Sequence, residues 1–428
     1  MTDSDDWLSR AQHSLNGLRG TGVRRLTENF VSLSVLQAAN YILPLVTVPY
    51  LTRVLGVEKY GLVAFAQAVI QYFIILTTFG FELSATREIA AHREDKERVS
   101  RVFVGVLLAQ SVFLGLGFLL LYLLTLVVPR LAEDPGIYLI TFTIVLGRVL
   151  FPVWFFQGME RMKYSTALNL GARVLFVILI FVFVRTAHDY RLVPLFNGLG
   201  MTLAGVAGLT LAFTRFSIRF HLPSISEVRH LVRDGFQFFV ASLSSSVSAS
   251  FNTLVLGFAT TNTAVGYYAA AEKLYIAMRA LFHPVVTALY PYMSSQRNVR
   301  LFRHVFRVGL AFAIVISSVA YLFNEEVTRL VFGPGFGQSA DLFRIFCLIV
   351  PIQTTSMMLG YPFLAALGHA SYANYSQVVG SIVHIVLVGM LLTYLTPARI
   401  TFLLLFTETL ILGIKIYGTH KYHLWKQA

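Results

Sequence analysis

Residues 37–90 read QAANYILPLVTVPYLTRVLG, then VEKYG, then LVAFAQAVIQYFIILTTFGFELSATREIA. Two apolar runs of about 20 residues each flank a short polar tip, and each can cross a bilayer core of about 30 Å as a helix. The second run carries a polar stripe. Gln67, Gln71, Thr78 and Glu82 are spaced +4, +7 and +4. At about 100° per residue they fall within about 60° of one another on one helix face. Hydrocarbon cannot satisfy such groups, so that face is expected against other helices or water. The first run has its own polar positions at Gln37, Asn40 and Thr47, with Pro44 and Pro49 between and after them.

The same arrangement returns 205 residues later. Gly61 answers to Gly266 and Ala64 to Ala269. Gln37 and Asn40 answer to Ser242 and Ser245, and Thr47 to Asn252. Gln67 answers to Glu272, and Thr78 to His283. In the second copy the pattern puts Tyr268, Glu272, Tyr275, Arg279 and His283 on one face, within about 80°. Duplicated halves facing a shared cavity are a common transporter architecture.

Working outward, the chain of 428 residues is 56% hydrophobic and only 13% charged, with a mean hydropathy of +0.68. Soluble proteins carry about 25% charged residues. The reading is therefore an all-α polytopic membrane protein. The single cysteine, Cys347, excludes a disulfide framework and a thiolate metal cluster. The net charge of +13 invites a nucleic-acid reading, but the positions of the charges do not support one.

Twelve apolar segments are expected near 30–53, 60–83, 103–128, 137–157, 165–185, 192–214, 235–258, 264–290, 305–323, 342–366, 372–395 and 400–418. Their connections alternate in charge. One side collects 22 Lys and Arg, the other 8. The positive-inside rule puts both termini in the cytoplasm and accounts for the basic balance without nucleic acid. Residues 1–25 are expected to hold neither a spanning segment nor a cleavable signal, because their start is acidic (Asp3, Asp5, Asp6). Trp7, Leu8, Ala11, Leu15 and Leu18 have the spacing of a short interfacial helix, which a disordered tail would also show by chance. The expected domains are a tail at 1–25, a six-helix lobe at 26–216, a cytoplasmic linker at 217–234, a second six-helix lobe at 235–420 and a tail at 421–428. The two lobes are expected to share a pseudo-two-fold axis. In the linker, Ser224-Ile-Ser-Glu227 is a capping-box pattern, and Val228, Leu231 and Val232 give an amphipathic turn. The longest outer loop, 324–341, is too short for a catalytic domain. No Walker motif, metal-ligand cluster or nucleophile–base constellation is present, so an enzyme is not expected.

Several stretches resemble the bacterial lipid-linked oligosaccharide flippases, the Wzx or O-antigen transporter family, in the superfamily of the MATE drug exporters and the lipid II flippase. They are NYILPLVTVPYLTRVLG (40–56), YGLVAFAQA (60–68), FELSATREIA (81–90), QGMERMKY (157–164), NTLVLG (252–257), VGYYAAAEKL (265–274) and LYPYMS (289–294). The resemblance implies two lobes around a cavity lined mainly by the first, second, seventh and eighth helices. It implies a substrate: a sugar repeat unit on undecaprenyl pyrophosphate, moved from the inner to the outer leaflet of the bacterial inner membrane by alternating access. Membrane lipids and other polysaccharide-assembly proteins are the expected partners. No cofactor is called for, and a proton or sodium gradient is the candidate driving force. The competing reading is a MATE-like cation-coupled drug antiporter.

The candidate substrate contacts are Arg279, Glu272, Lys273, Tyr275, Gln37, Asn40, Gln67, Gln71, Arg148 and Arg173. A cation in a membrane segment costs about 2.5–3.5 kcal/mol even on the lenient insertion scale unless it meets a partner or water. Arg279 is read as a pyrophosphate ligand, because its planar fork binds phosphate oxygens bidentately, or as the ion-pair partner of Glu272. Lys273 points to a different face. Arg148 and Arg173 lie in the fourth and fifth segments, where structural roles compete with cavity roles, and Arg53 can snorkel. Glu272 is the best-placed carboxylate for ion coupling, with pairing to Arg279 the preferred alternative; Glu82, Glu88 and Glu408 sit nearer segment ends. Tyr41, Tyr72, Tyr267, Tyr268 and Tyr275 can stack on sugars or pack as lipid anchors. The arginines of 86–101 and 296–307 can meet a pyrophosphate or simply set topology and attract anionic lipid.

Overall fold

The computed structural model describes the backbone of residues 4–426 and the side chains of residues 36–425, apart from 38, 40, 41, 241 and 243–249. The side-chain readings for the amino-terminal tail, Asn40, Tyr41 and Ser245 lie outside the described residues. Every regular element among the described residues is helical. The chain resolves into two compact units. One holds the stretch up to Pro44, Val69–Arg185 and Arg191–Ser246; the other holds Leu45–Ala68, Thr186–Tyr190 and Val247–Ala428.

Nine described segments are long and apolar enough to cross a membrane, against twelve expected, and the difference has three sources. The first two runs merge. The helix Ser4–Thr78 leaves helical geometry only at Gly56 (φ 69°, ψ 173°), a conformation that glycine adopts without steric cost. The seventh expected segment is only partly described, with Ser250–Ala259 as a shorter apolar helix. The eighth is broken. Asn262–Ala280 ends, Leu281 and Phe282 intervene, and His283–Gln296 begins with a proline in its first turn. Pro284 has no N–H to donate to the preceding turn, which favours a break there. The polar stripe therefore ends at Arg279. His283, expected on it, starts a new helix.

The first unit shows the same break. Phe79 (φ 44°) and Gly80 (φ 73°) separate the helix ending at Thr78 from Phe81–Ala91. A Cβ on Gly80 would lie 2.5 Å from the Gly235 carbonyl oxygen and the Phe239 nitrogen, so the break also permits a close backbone approach. The helix Ile225–Ala259 runs unbroken, making the amphipathic turn at 228–232 and the seventh apolar segment one element. Its capping box is reciprocal: Ser224 N–H donates to Glu227 Oε2 (2.7 Å), and Glu227 N–H donates to Ser224 Oγ (3.3 Å). Val228, Leu231 and Val232 pack on a core that includes Phe81, Phe103, Trp154 and Phe155.

In the second unit the hairpin tip packs on the carboxy-terminal helices at near-zero clearance. A Cβ on Gly61 would sit 1.9 Å from the Asn262 carbonyl oxygen and 2.6 Å from the Gly266 nitrogen, and one on Gly266 would sit 2.2 Å from the Val57 carbonyl oxygen. The two glycines paired by the repeat thus meet each other. Close backbone approach through small residues is how helices associate where burial of apolar surface gives no driving force. The guanidinium of Arg53 donates to the Leu330 carbonyl, so Arg53 is anchored to protein. The last helix runs Pro397–Lys421. It contains Lys415.

Candidate functional site

Thr261 caps the Asn262–Ala280 helix, accepting from Ala264 N–H at 3.3 Å. Tyr268, Glu272, Tyr275 and Arg279 then follow at spacings of four, three and four residues, which stacks them along one face. Tyr268 and Tyr275 both pack against Phe346, with ring centroids 5.7 and 4.9 Å away. From this face two polar chains lead inward.

The first begins at Glu272, which accepts from Tyr268 OH (3.2 Å) and Thr253 Oγ1 (3.4 Å). Asn252 Nδ2 donates to Tyr268 OH at 3.1 Å. Asn252 Oδ1 meets His384 Nε2 at 2.7 Å, and His384 Nδ1 meets Thr407 Oγ1 at 3.2 Å. The second begins at Tyr275, whose hydroxyl donates to Gln353 Oε1. Gln353 Nε2 donates to Glu408 Oε1 at 3.3 Å. One turn pair further along the same helix, Lys415 is buried. Its ammonium donates to the Ser356 carbonyl (3.0 Å) and Oγ (2.8 Å), sharing that carbonyl with the Gly360 N–H at the end of the Gly337–Leu359 helix.

The Glu272–Arg279 ion pair preferred from the sequence is not formed. The carboxylate is taken up by Tyr268 and Thr253, and the Arg279 guanidinium lies 5.9 Å from the Tyr275 ring centroid. That is within cation–π range. No carboxylate stands within ion-pair distance of Arg279 among the described residues. Its guanidinium also hydrogen-bonds Tyr275 and acts electrostatically on Glu272 and Glu408 without pairing directly with either. Lys273, on the far side of the helix, is exposed.

The remaining candidates divide. Arg148 is held by Glu82 at 2.8 Å, which joins the end of the first polar stripe to the Thr143–Leu150 helix. Arg173 Nε donates to Asn169 Oδ1 at 2.7 Å. Both are thus occupied by partners within their own unit. Gln67 and Gln71 are half-buried, Gln37 is exposed, and Asn40 lies outside the described side chains. The loop arginines of 86–101 are tied to carboxylates: Arg98 to Glu88 (2.7 Å), Arg93 to Glu160 (2.6 Å), Arg101 to Glu227 (3.7 Å) and Arg87 to Asp234 (3.8 Å). In this cluster the Arg98 and Glu97 backbone N–H groups hold the Asp95 carboxyl below the usual carboxylate range. The Ser224 N–H does the same for Glu227. No group of three or more His, Cys, Asp or Glu side chains suited to a metal occurs among the described residues.

Asn252 was legible only as the repeat partner of Thr47. His384, Thr407, Gln353 and Lys415 were missed, because a single polar residue in an apolar segment reads as packing until its partner is known. Glu408 and Lys415, seven residues apart on one helix face, were the available signal.

Comparison with known proteins agrees with this picture. The chain is 26% identical over 401 residues to a protein of Escherichia coli (strain K12) provisionally named an O-antigen transporter, covering 91% of this chain and 96% of that one. A Shigella dysenteriae protein of the same name is 25% identical over 396 residues, covering 90% and 98%. Among solved structures, the lipid II flippase MurJ in an inward closed conformation superposes with a TM-score of 0.74 at 12% identity, covering 92% of this chain and 87% of MurJ. An inward-facing multidrug resistance MATE family transporter gives 0.63 at 14%, covering 94% and 99%. These likenesses establish the fold, the 12-helix two-lobe fold of those transporters. The family described as polysaccharide biosynthesis protein matches residues 26–296. That is well over half of the chain, and the chain belongs to this family.

Proposed function

We propose that this chain is a flippase in a bacterial inner membrane. It carries undecaprenyl-pyrophosphate-linked oligosaccharide repeat units from the cytoplasmic to the outer leaflet by alternating access, with both termini cytoplasmic. Lobes 26–216 and 235–420, joined by the linker at 217–234, are the proposed moving parts. Family membership and the names of the relatives supply the substrate class. The observation that carries the chemistry is Arg279: a half-buried arginine on the Asn262–Ala280 helix, seated on a tyrosine ring and with no carboxylate within ion-pair distance among the described residues. The diphosphate is common to such substrates whatever their sugars, and a guanidinium suits it. The two polar chains ending in Glu272 and Glu408 are the proposed place where a proton or sodium gradient is coupled to transport.

The test is surface glycan made in a strain lacking its own transporter, with membrane levels of each variant checked. Arg279→Lys keeps charge but loses the fork and should retain partial export. Arg279→Ala and Arg279→Glu should lose most of it. Full export by a normally inserted Arg279→Ala protein contradicts the role. Glycan export that is absent throughout, alongside energised efflux of cationic drugs, would instead favour the antiporter reading.

A further inference from the structure

We propose that the basic start of the Val299–Leu322 helix, with the apolar groove beside it, is a loading site for a lipid diphosphate. This inference rests on the flippase reading above. Asn298 caps the helix by accepting from Leu301 N–H at 3.0 Å. The sequence that follows, VRLFRHVFR (299–307), brings Arg300, Arg303, His304 and Arg307 within about two turns, just after Arg297. Arg300, His304, Val308 and Phe312 lie at four-residue spacing, so they form one gently inclined stripe. Its lower members are basic and its upper members apolar.

The upper part of the stripe is one wall of a groove of about 290 Å³, with Leu281, Phe282 and Val285 opposite. Val308 is 56% and Phe312 51% exposed, so the groove opens at the surface of the helix bundle, where a lipid chain can lie. Cations at the foot and hydrocarbon above match the order of a phosphate headgroup and its chain. The opposite wall is the break that follows Ala280, two residues past Arg279 in sequence, so a carrier seated here lies beside the helix proposed to bind its diphosphate during transport.

A second observation separates these arginines from an ordinary basic loop. Arg87, Arg93, Arg98 and Arg101, in the other basic cluster, each have a carboxylate within 4 Å. Among the described residues, none stands within 4 Å of Arg297, Arg300, Arg303 or Arg307; the two clusters are alike in each having one buried guanidinium nitrogen without a hydrogen-bond partner, Arg93 Nε and Arg303 Nε. Unneutralised forks converging on one end of a helix suit an acceptor with several oxygens and more than one negative charge. A diphosphate meets that description better than the single phosphodiester of a bulk phospholipid.

The test uses the full chain in detergent micelles with a sugar-free polyprenyl diphosphate as probe and phosphatidylglycerol as competitor. Two variants interrogate the two halves of the site: the triple Arg300→Gln, Arg303→Gln, Arg307→Gln, and Gly309→Leu. A Cβ at Gly309 lies 3.2 Å from the Met358 sulfur, so the longer side chain fills the groove and leaves the charges. The triple variant should weaken probe binding at least about tenfold, the effect of losing one or more charge-assisted contacts, and Gly309→Leu should weaken it about tenfold by excluding the chain from the groove. Phosphatidylglycerol should compete at least about tenfold less well than the diphosphate. The exposed single variant Arg300→Gln keeps the test available if the triple variant misfolds, with a smaller loss in the same direction. Native-strength binding by well-folded variants overturns the site. Equal competition by phosphatidylglycerol overturns the diphosphate assignment and leaves a general anionic-lipid surface. Export assays separate the two readings. Arginine-dependent probe binding without any glycan export sinks the flippase and spares the site, whereas native export by the triple variant at limiting substrate sinks the loading role and spares the flippase.

Discussion

At the scale of single residues, the charges within the helices are decided by what stands next to them. Glu272 and Arg279 lie seven residues apart on one face, and spacing alone pairs them. Tyr268, one turn earlier, and Thr253, from the neighbouring helix, take the carboxylate first. Arg148 shows the opposite case, with a partner 66 residues away that no local pattern reveals. Faces were thus legible in the sequence, while partners were not, because a partner is set by which helices cross. The Arg148–Glu82 pair makes a prediction. Arg148→Leu leaves Glu82 without its counter-charge, so it should lower the thermal midpoint in micelles more than Arg148→Leu with Glu82→Leu does. Both side chains are partly exposed, at 32% and 44%, so the coupling should be modest, about 1 kcal/mol or less. A double variant less stable than either single would show that the pair is not what holds these helices.

At the scale of elements, breaks and close approaches matter more than propensity. The hydropathy pattern anticipated most of the described apolar segments, but it divided the helix Ser4–Thr78 and ran the eighth segment straight through Pro284. It gave no hint that the Gly61 and Gly266 backbones touch. The repeat singled out both glycines by correspondence, and the reason is steric: neither has room for a Cβ. Gly61→Val and Gly266→Val should each cost about 1–3 kcal/mol through overpacking, read as a lower thermal midpoint in micelles. At Gly171 and Gly389 a Cβ meets nothing within 4 Å, so valine there should be nearly neutral, and equal effects at all four sites would contradict the packing argument. The cap at Asp95 carries a pH prediction. Its carboxyl is held low by the Arg98 and Glu97 N–H groups, so its contribution is present above the ordinary carboxylate pKa and is lost as pH falls through the lowered value. Hydrogen-exchange protection in the first turn of Lys96–Val127 should hold from pH 8 to 5 and fail only below about pH 4. Asp95→Asn, which also caps, should remove that acid step. A loss of protection near pH 6 would point to a histidine instead.

At the scale of the whole molecule, hydropathy was enough to read an all-helical polytopic membrane protein, because lipid leaves the chain few alternatives to helices. The compact units were not legible. Residues 45–68 belong with the carboxy-terminal helices through glycine backbone approaches and through side chains such as Arg53, Tyr60 and Phe65 whose distant partners no local pattern reveals. The central claim is that the molecule moves a lipid-linked glycan across a bilayer. It is tested most directly with the purified chain in sealed vesicles holding undecaprenyl-pyrophosphate-linked repeat units labelled on the sugar, read by how much label an impermeant sugar-cleaving enzyme can reach. The account predicts that label confined to one leaflet becomes accessible from the other in vesicles with the native chain and stays protected in vesicles with Arg279→Ala. Label that stays confined with the native chain under both a proton and a sodium gradient, or that crosses equally well in empty vesicles, would contradict it.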